Sequence, residues 1–523
     1  MATIYLAEIT VYDPALGHTS VMRYASNAGY NHPSAPGFYE GRMLQPMHFS
    51  RSMFAEGKTS GASQLGTGEM ILANNDGGLD GWRDLGVDGQ SFRLLAGDDQ
   101  AAYGTFVLVF AGTMDQPLFQ TNGSELSLVL RDKLSLLSVP LQPTKFAGTN
   151  ALPAGVEGTP NDIAGQPKPV VYGSPTNVAP PCCNTALLVY QVADGALGSV
   201  DAVYDSGAAL PLGHVQASLA ALMATAPAAG TYDCFIGGPS YIRLGSAPAG
   251  QVTCDLSEGA NAAARTVGQI VSRVVQARGG LVAGDLNAGD FAALDALNSA
   301  VIGFWSVQEM TVAQVLDAVA ASGGCWYGFD NNGKFRLGRL DAPAGVPVAT
   351  LTRLDSRTVA GANMFDMVDF DNAAPNDSGR GVPTWLVSLD YAPNWTVQTS
   401  GLVASVAAGR RAYLATANRT VISSDATVKT VHPLAQQTSV ATLFNLAVAA
   451  QAEADRLRVL LSPRRDYLTV TVKFTIAVAL AFDLGRIVSI RFPRFGYTAG
   501  RLMAVIGLEY DLQAGTLKLG LWG

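Results

Sequence analysis

Asp366, Asp369, Asp371 and Asp377 lie close together along the chain, a few residues ahead of Trp385. Paired carboxylates beside an aromatic platform suit glycoside cleavage, in which one protonates the leaving oxygen and the other attacks the sugar or activates water. Such a pair is defined by separation in space, so a solvated loop accounts for these residues equally well. Cys182, Cys183, Cys234, Cys254 and Cys325 open a second chemistry. Four of them could in principle meet at a metal or an iron–sulfur cluster, but no Cys-x-x-Cys spacing is present and the vicinal pair is awkward for joint ligation. The other reading makes them small buried residues. An odd number of thiols in so long a chain is no disulfide framework.

Asn74-Asn75-Asp76-Gly77-Gly78-Leu79-Asp80-Gly81 alternates oxygen ligands around glycines, as a hard cation requires. It lacks a bidentate Glu and repeats nowhere, and a turn that uses Asn, Asp and Gly for positive φ explains it. His18, His32, His48, His214 and His432 are scattered in loop-like contexts, where a solvated or hydrogen-bonded imidazole is the ordinary state. There is no His-Glu-x-x-His, Gly-x-Ser-x-Gly, P-loop or dinucleotide-binding glycine pattern. No catalytic, cofactor-binding or metal-binding residue is expected, and no cofactor. Trp82, Trp305, Trp326 and Trp395 read as core or interface anchors.

The surrounding chain is built for several cores. Its 523 residues exceed one ordinary domain, and 48% are hydrophobic while only 15% are charged, against roughly 25% charged in an average soluble protein. The 56 glycines fit turn-rich β-structure and surfaces that partners later cover. A net charge of −8 argues against a protein that grips nucleic acid, which needs clustered Lys and Arg. The chain opens on an alternating strand, Ile4–Tyr12, with no basic-plus-apolar leader, so synthesis in the cytoplasm is expected. The longest weakly charged run, Phe474–Phe482, is about half of the ~20 residues a membrane helix needs, so no membrane span is expected.

Six segments are expected. Residues 1–148 form an N-terminal β domain, with strands at Ile4–Tyr12, Glu69–Ala73, Ser91–Gly97, Thr105–Gly112 and Ser127–Arg131 and a long excursion from Ser26 to Gly68. Residues 149–213 are a connector and small sheet, in which Pro167, Pro169 and Pro175 bar helix and central strand before strands at Leu187–Val192 and Val200–Tyr204. Residues 214–265 are an Ala- and Gly-rich insertion with a short helix over Val215–Ala226. Residues 266–345 are an α+β module with helices at Thr266–Arg278, Ala288–Asn298 and Val312–Ala321, then the hairpin Cys325–Phe329 and Lys334–Leu340. Residues 346–435 return to strands and loops. Residues 436–523 hold a long helix, Ser439–Leu461, ended by Pro463, and a meander at Tyr467–Ile476, Arg486–Phe492, Arg501–Tyr510 and Thr516–Leu521 whose end is tied into a sheet. The fold class is therefore α+β and β-rich, multidomain, with β modules at both ends of an α+β middle.

Four places carry a resemblance. They are Phe110-Ala111-Gly112 with Leu126–Leu130 and Arg131-Asp132-Lys133; Gly165–Leu210, above all Gly165–Gly173 and Val203-Tyr204-Asp205-Ser206-Gly207; Thr311–Leu340 with its Phe329–Phe335 hairpin turn; and Ala452–Gly523, with Ala452–Leu457, Phe482–Val488, Gly500–Gly507 and Leu519–Gly523. In that order they resemble tail-hub or baseplate-hub proteins of long-tailed bacteriophages, of the siphophage or gene-transfer-agent type. The resemblance implies a structural virion protein at the tail tip, assembled in the bacterial cytoplasm and not an enzyme. It implies a homotrimeric ring in which each copy offers two tube-like β-barrel or sandwich modules, so that a trimer receives a hexameric tail tube. It further implies partners in the distal tail or tail tube protein, the tape-measure protein and receptor-binding or fibre proteins, with DNA passing through the lumen without sequence-specific binding. Some such hubs hold an iron–sulfur cluster on four cysteines and others carry peptidoglycan-cleaving domains; neither pattern is matched here. The competing classes are a tail-tip adhesin for a surface glycan or pilus and a β-rich cell-wall or polysaccharide hydrolase.

Overall fold

The computed structural model describes residues 3–55, 58–354, 361, 363–375, 377 and 380–523. Parts of the expected Ser26–Gly68 excursion and of the expected 346–435 segment lie outside the described residues. The architecture is α+β and β-rich, with several sheets and one closed barrel.

Alternation of apolar and polar residues builds the N-terminal sheet. Its strands run in the order Met43–Ser52, Thr67–Ala73, Glu125–Arg131, Val107–Met114, Ser91–Asp98, Thr3–Asp13 and His18–Ala25. Each of the five strands expected there forms, within a few residues of its expected bounds. At the other end of the chain, Ile487–Arg491, Ala349–Thr352, Met364–Ala373, Tyr467–Lys473, Thr516–Trp522 and Arg501–Asp511 pair in that order, and the last returns to the first. This closes a six-stranded barrel, which leaves no edge along its seam.

The two sheets are one. Along a single edge, Arg501–Asp511 changes partner: Arg501–Ala504 pair with Ile487–Ile490, while Gly507–Asp511 pair with His48–Ser52. At the changeover the amide of Val505 donates to Arg486 and the carbonyl of Ile506 accepts from Met53, at 2.9 Å each. The other edge is held by Thr516–Trp522, with a bulge between Val505 and Gly507 that bends the strand toward its new partner. One hydrophobic core underlies both ends and includes Phe49, Trp82, Phe110, Leu517 and Trp522; the Tyr5 and Phe474 rings meet in it at 6.2 Å.

Between the ends lies the α+β middle. Helices Val267–Ala277, Ala288–Leu297 and Val312–Ser322 fall where apolar spacing expects them, and Thr266 and Thr311 cap the first and third through their hydroxyls. The Cys325–Phe329 and Phe335–Arg339 hairpin follows in register.

Several elements differ from expectation. The long helix starts at Ala447, and Gln436–Ala441 is instead a strand parallel to Thr384–Tyr391; the β-branched Thr438 and Val440 fit that pairing, and tertiary contact overrides the apparent helical period. Val215–Ala226 divides into the edge strand Leu212–Val215 and the helix Leu219–Ala224, capped by Ser218. Tyr467–Lys473 stops short because Thr475 caps a short helix, Ile476–Ala481. The strands Val189–Ala193 and Ser199–Asp205 join different sheets: the first pairs with Ser240–Leu244, the second with Ala208–Leu210 and Val252–Ser257. The Ser206-Gly207 turn has φ of 50° and 83°, as a tight hairpin of this type requires. Val170–Gly173 lies against Gly303–Ser306, and a Cβ on Gly173 would sit 2.0 Å from the Ile302 carbonyl. No described helix is long and apolar enough to cross a membrane.

Candidate functional site

The residues singled out for chemistry do not converge. Asp366, Asp369 and Asp371 lie on or beside one barrel strand, whereas Trp385 belongs to a separate three-stranded sheet and carries the Lys429 ammonium 3.5 Å from its ring centre. Asp366 accepts from the Leu354 amide, Asp369 from that of Phe370, and Asp377 from Thr59. Asp366, Asp369 and Asp377 are thus each held by a neighbouring donor. In the Asn74–Gly81 loop, Arg42 grips both oxygens of Asp76 at 2.7 and 2.8 Å, and this charge-assisted pair holds the carboxyl far below its ordinary range. Asn74 bonds Asp80 and the Leu79 amide, which fixes the turn from within.

The histidines are equally dispersed. His32 bonds Ser34, His48 faces Glu509 at 3.4 Å, and His214 lies 3.6 Å from Asp233. All five cysteines are free, and all but Cys182 are buried. Burial pushes the Cys325 thiol up to about 12 and that of Cys234 to about 11, so both are inert neutral thiols.

Two other features emerge at the joined sheets. The first is a polar face. Residues directly opposite one another across paired strands project to the same side, and the registers align Asp369, Thr471, Lys518, Glu509, Ser50, Thr67, Arg131 and Thr113 in one row. A second row runs Lys473, Thr516, Asp511, His48 and Glu69. Both cross the junction without interruption. Lys518 pairs with Glu509 at 3.3 Å, and a depression of about 310 Å³ opens between His48, Lys58, Glu509 and Lys518. The reverse side of the same strands, Met47, Phe49, Leu508, Tyr510, Leu517 and Leu519, faces the core.

The second feature is a buried cation among those core residues. Arg51 is 5% exposed. Its guanidinium donates to Asp483 and to Asn331 at 2.7 Å each, and to the Phe329 carbonyl. Asn331 in turn donates to the Tyr510 hydroxyl at 3.1 Å. Arg51 belongs to the N-terminal sheet, Asn331 to the middle hairpin, and Asp483 and Tyr510 to the C-terminal barrel. One guanidinium therefore pins three parts of the chain, and burying it is tolerable only because every arm but Nε is bonded. The sequence reading missed it. The signal was there: Arg51 shares strand parity with Met47 and Phe49, which places a charge on the core face.

Beside the node, Asp132 accepts from the Gly66 and Leu134 amides at 2.8 and 2.9 Å. Burial nonetheless dominates and pushes its carboxyl up to about 6.

No family model matches this chain, and neither does any curated protein. Among solved structures it is similar to a tail protein from Neisseria meningitidis MC58, at 13% identity over 99% of this chain and 96% of that one, with a TM-score of 0.39. It is similar to the 43 kDa tail protein of prophage MuSo2 from Shewanella oneidensis, at 10% identity over 100% and 98%, TM-score 0.40. It is also similar to a chain in the virion of a native gene transfer agent particle, at 15% identity over 69% and 85%, TM-score 0.38.

Proposed function

We propose that the chain is a structural tail protein, and that it acts as a homotrimeric hub joining a hexameric tail tube to the host-facing tip, in the virion and without enzymatic activity. The observation that carries this reading is the junction at Val505 and Ile506, where one strand serves both sheets and leaves them with a continuous polar face. A chain with two β modules fused edge to edge offers two places in a ring, so three copies offer six. That converts threefold into sixfold symmetry within one polypeptide.

The polar face then lines the lumen. Asp369, Asp511, Glu509 and Glu69 are interleaved on it with Lys473, Lys518 and Arg131, so no long basic stripe is present to hold phosphates as DNA passes. The node at Arg51 keeps the modules from rotating against each other under the load of ejection. Tape-measure, tube and fibre proteins are the partners this reading requires. Labelled-antibody imaging of the parent particle tests it: label at the tail tip supports a hub, and label confined to fibres or the capsid overturns it.

A further inference from the structure

One rim of the C-terminal barrel gathers arginines. The pairing directions make Ala349–Thr352, Met364–Ala373, Ile487–Arg491 and Thr516–Trp522 finish at this rim, while Tyr467–Lys473 and Arg501–Asp511 begin at it. Strand polarity therefore brings together Arg464, Arg465, Arg491, Arg494 and Arg501. The Arg491 side chain crosses Gly500, where a Cβ would sit 3.6 Å from its Nε, and Arg464 is close enough to act on the Tyr497 hydroxyl. The Arg465 guanidinium lies 5.3 Å from the Trp522 ring centre, and burial, then the charge of Arg501, lower it from its usual value. Asp466 answers one of these charges: it bonds Arg501 at 3.1 Å and accepts from the Tyr497 hydroxyl at 2.5 Å. Arg464, Arg491 and Arg494 are exposed and form no ion pair with another described residue.

The turn between Ile487–Arg491 and Arg501–Asp511 adds a flat aromatic surface to this rim. It stacks Phe370, Phe492 and Phe495 with ring centres 5.0 to 6.3 Å apart and planes within 15°. Phe370 and Phe492 are half-buried, whereas Phe495 is 61% exposed and is held at a φ of 59°, strained for a bulky residue. The Arg494 guanidinium lies 5.5 Å from the Phe495 ring centre. Asp369 and Asp371 adjoin Phe370 in sequence, but alternation along the strand turns them to its opposite side. The outermost phenyl ring is thus bare, backed by two near-parallel rings and flanked by guanidiniums that lack a counterion.

The two halves of this surface select one kind of ligand. A carboxylate-rich protein would satisfy the guanidiniums and leave the ring uncovered. An anionic bilayer would cover the ring, but a lone phenyl between Arg494 and Gly496 inserts little apolar area. A nucleotide uses both, because guanidinium is planar and binds phosphate oxygens two at a time, while a base stacks on an aromatic ring. We propose that this rim binds single-stranded nucleic acid, with phosphodiesters on Arg464, Arg491 and Arg494 and an unpaired base on Phe495. Such binding tolerates any sequence, since every base has a flat face. The net charge of −8 does not oppose it, because exposed charges beyond a Debye length, about 8 Å at physiological ionic strength, are largely screened. The site is separate from the polar face that carries Glu509 and Lys518, and it does not depend on the hub reading.

Fluorescence anisotropy of a labelled oligothymidylate with the full chain tests this, with an abasic strand of equal length, polyglutamate and phosphatidylglycerol vesicles as competitors. The oligothymidylate is expected to bind, and all three competitors are expected to displace it poorly. Phe495→Gly, which suits the positive φ, should weaken binding by about tenfold while the melting temperature holds or rises. Arg491→Gln with Arg494→Gln should lower the slope of log affinity against log salt by about 1.4. Absence of binding, an abasic strand that competes as well as the unlabelled oligothymidylate, or wild-type affinity in Phe495→Gly would each overturn the site. Equal displacement by polyglutamate or by the vesicles would also overturn it, in favour of an acidic protein or a membrane surface. None of these outcomes bears on where the chain sits in the tail.

Discussion

The guanidinium of Arg51 and the carboxylate of Asp483 meet at 2.7 Å although 432 residues separate them. Arg51 pairs directly across from Leu508 on the strand that both sheets share, so the ion pair stands at the junction itself. Removing Asp483 leaves a charge buried without its counterion, which costs about 3–5 kcal/mol. Asp483→Ala is therefore expected to destabilise the chain more than Arg51→Met, whose partner is partly open to water. Chemical unfolding of both single variants and the double variant checks this. A coupling energy near zero would mean that the pair does not hold the junction.

Asp132 predicts a pH dependence. Its folded value, about 6, lies above the ordinary 3.8, so the folded state holds the proton more tightly than the unfolded chain does. The stability it contributes is fully present below about pH 4 and is lost as pH rises through 6, on the order of 2–3 kcal/mol. The stability difference between wild type and Asp132→Asn, measured by unfolding from pH 3.5 to 7, should change by that amount and level off above 7. A flat difference would mean the carboxyl is solvated.

The Asn74–Gly81 loop is predicted to be indifferent to calcium. Arg42 already neutralises Asp76 through two hydrogen bonds. Millimolar calcium or a chelator should leave the melting temperature unchanged in wild type. A rise with calcium that disappears in Asp76→Asn would show that the cation displaces Arg42.

The thiols predict a labelling order. Cys183, Cys234, Cys254 and Cys325 are buried, and Cys182 is half-buried on a short strand. Iodoacetamide on the native protein, read by peptide mass spectrometry, should modify Cys182 slowly and the other four only after denaturation. Rapid native labelling of Cys254 would contradict the packing.

Much of this was legible where local pattern and tertiary demand agree. Thr516–Trp522 alternates cleanly because one side faces the core and the other the polar face, and Val267, Ile270, Val271, Val274 and Val275 fall on one helical stripe because they fill one core. The strand Gln436–Ala441 is not legible, because its parallel partner, Thr384–Tyr391, lies tens of residues away and no turn announces it. The change of partner at Val505 and Ile506 is marked in the sequence only by Gly507 at the bulge, which signals an irregularity and not the new partner. Paired acidic residues and cysteines stand out by type alone, whereas the buried charge of Arg51 sits where an apolar residue is expected.

On the proposed hub role, the two β modules of each chain take two of six places in one ring. Electron cryomicroscopy of the parent particle, with the tail tip reconstructed without imposed symmetry, tests it most directly. The expected result is three copies of this chain stacked on a sixfold tube, each giving one N-terminal sheet and one C-terminal barrel to a ring of six modules, with Lys518, Glu509 and Asp511 facing the lumen. A ring of six copies, or three copies whose polar faces point away from the channel, would contradict it.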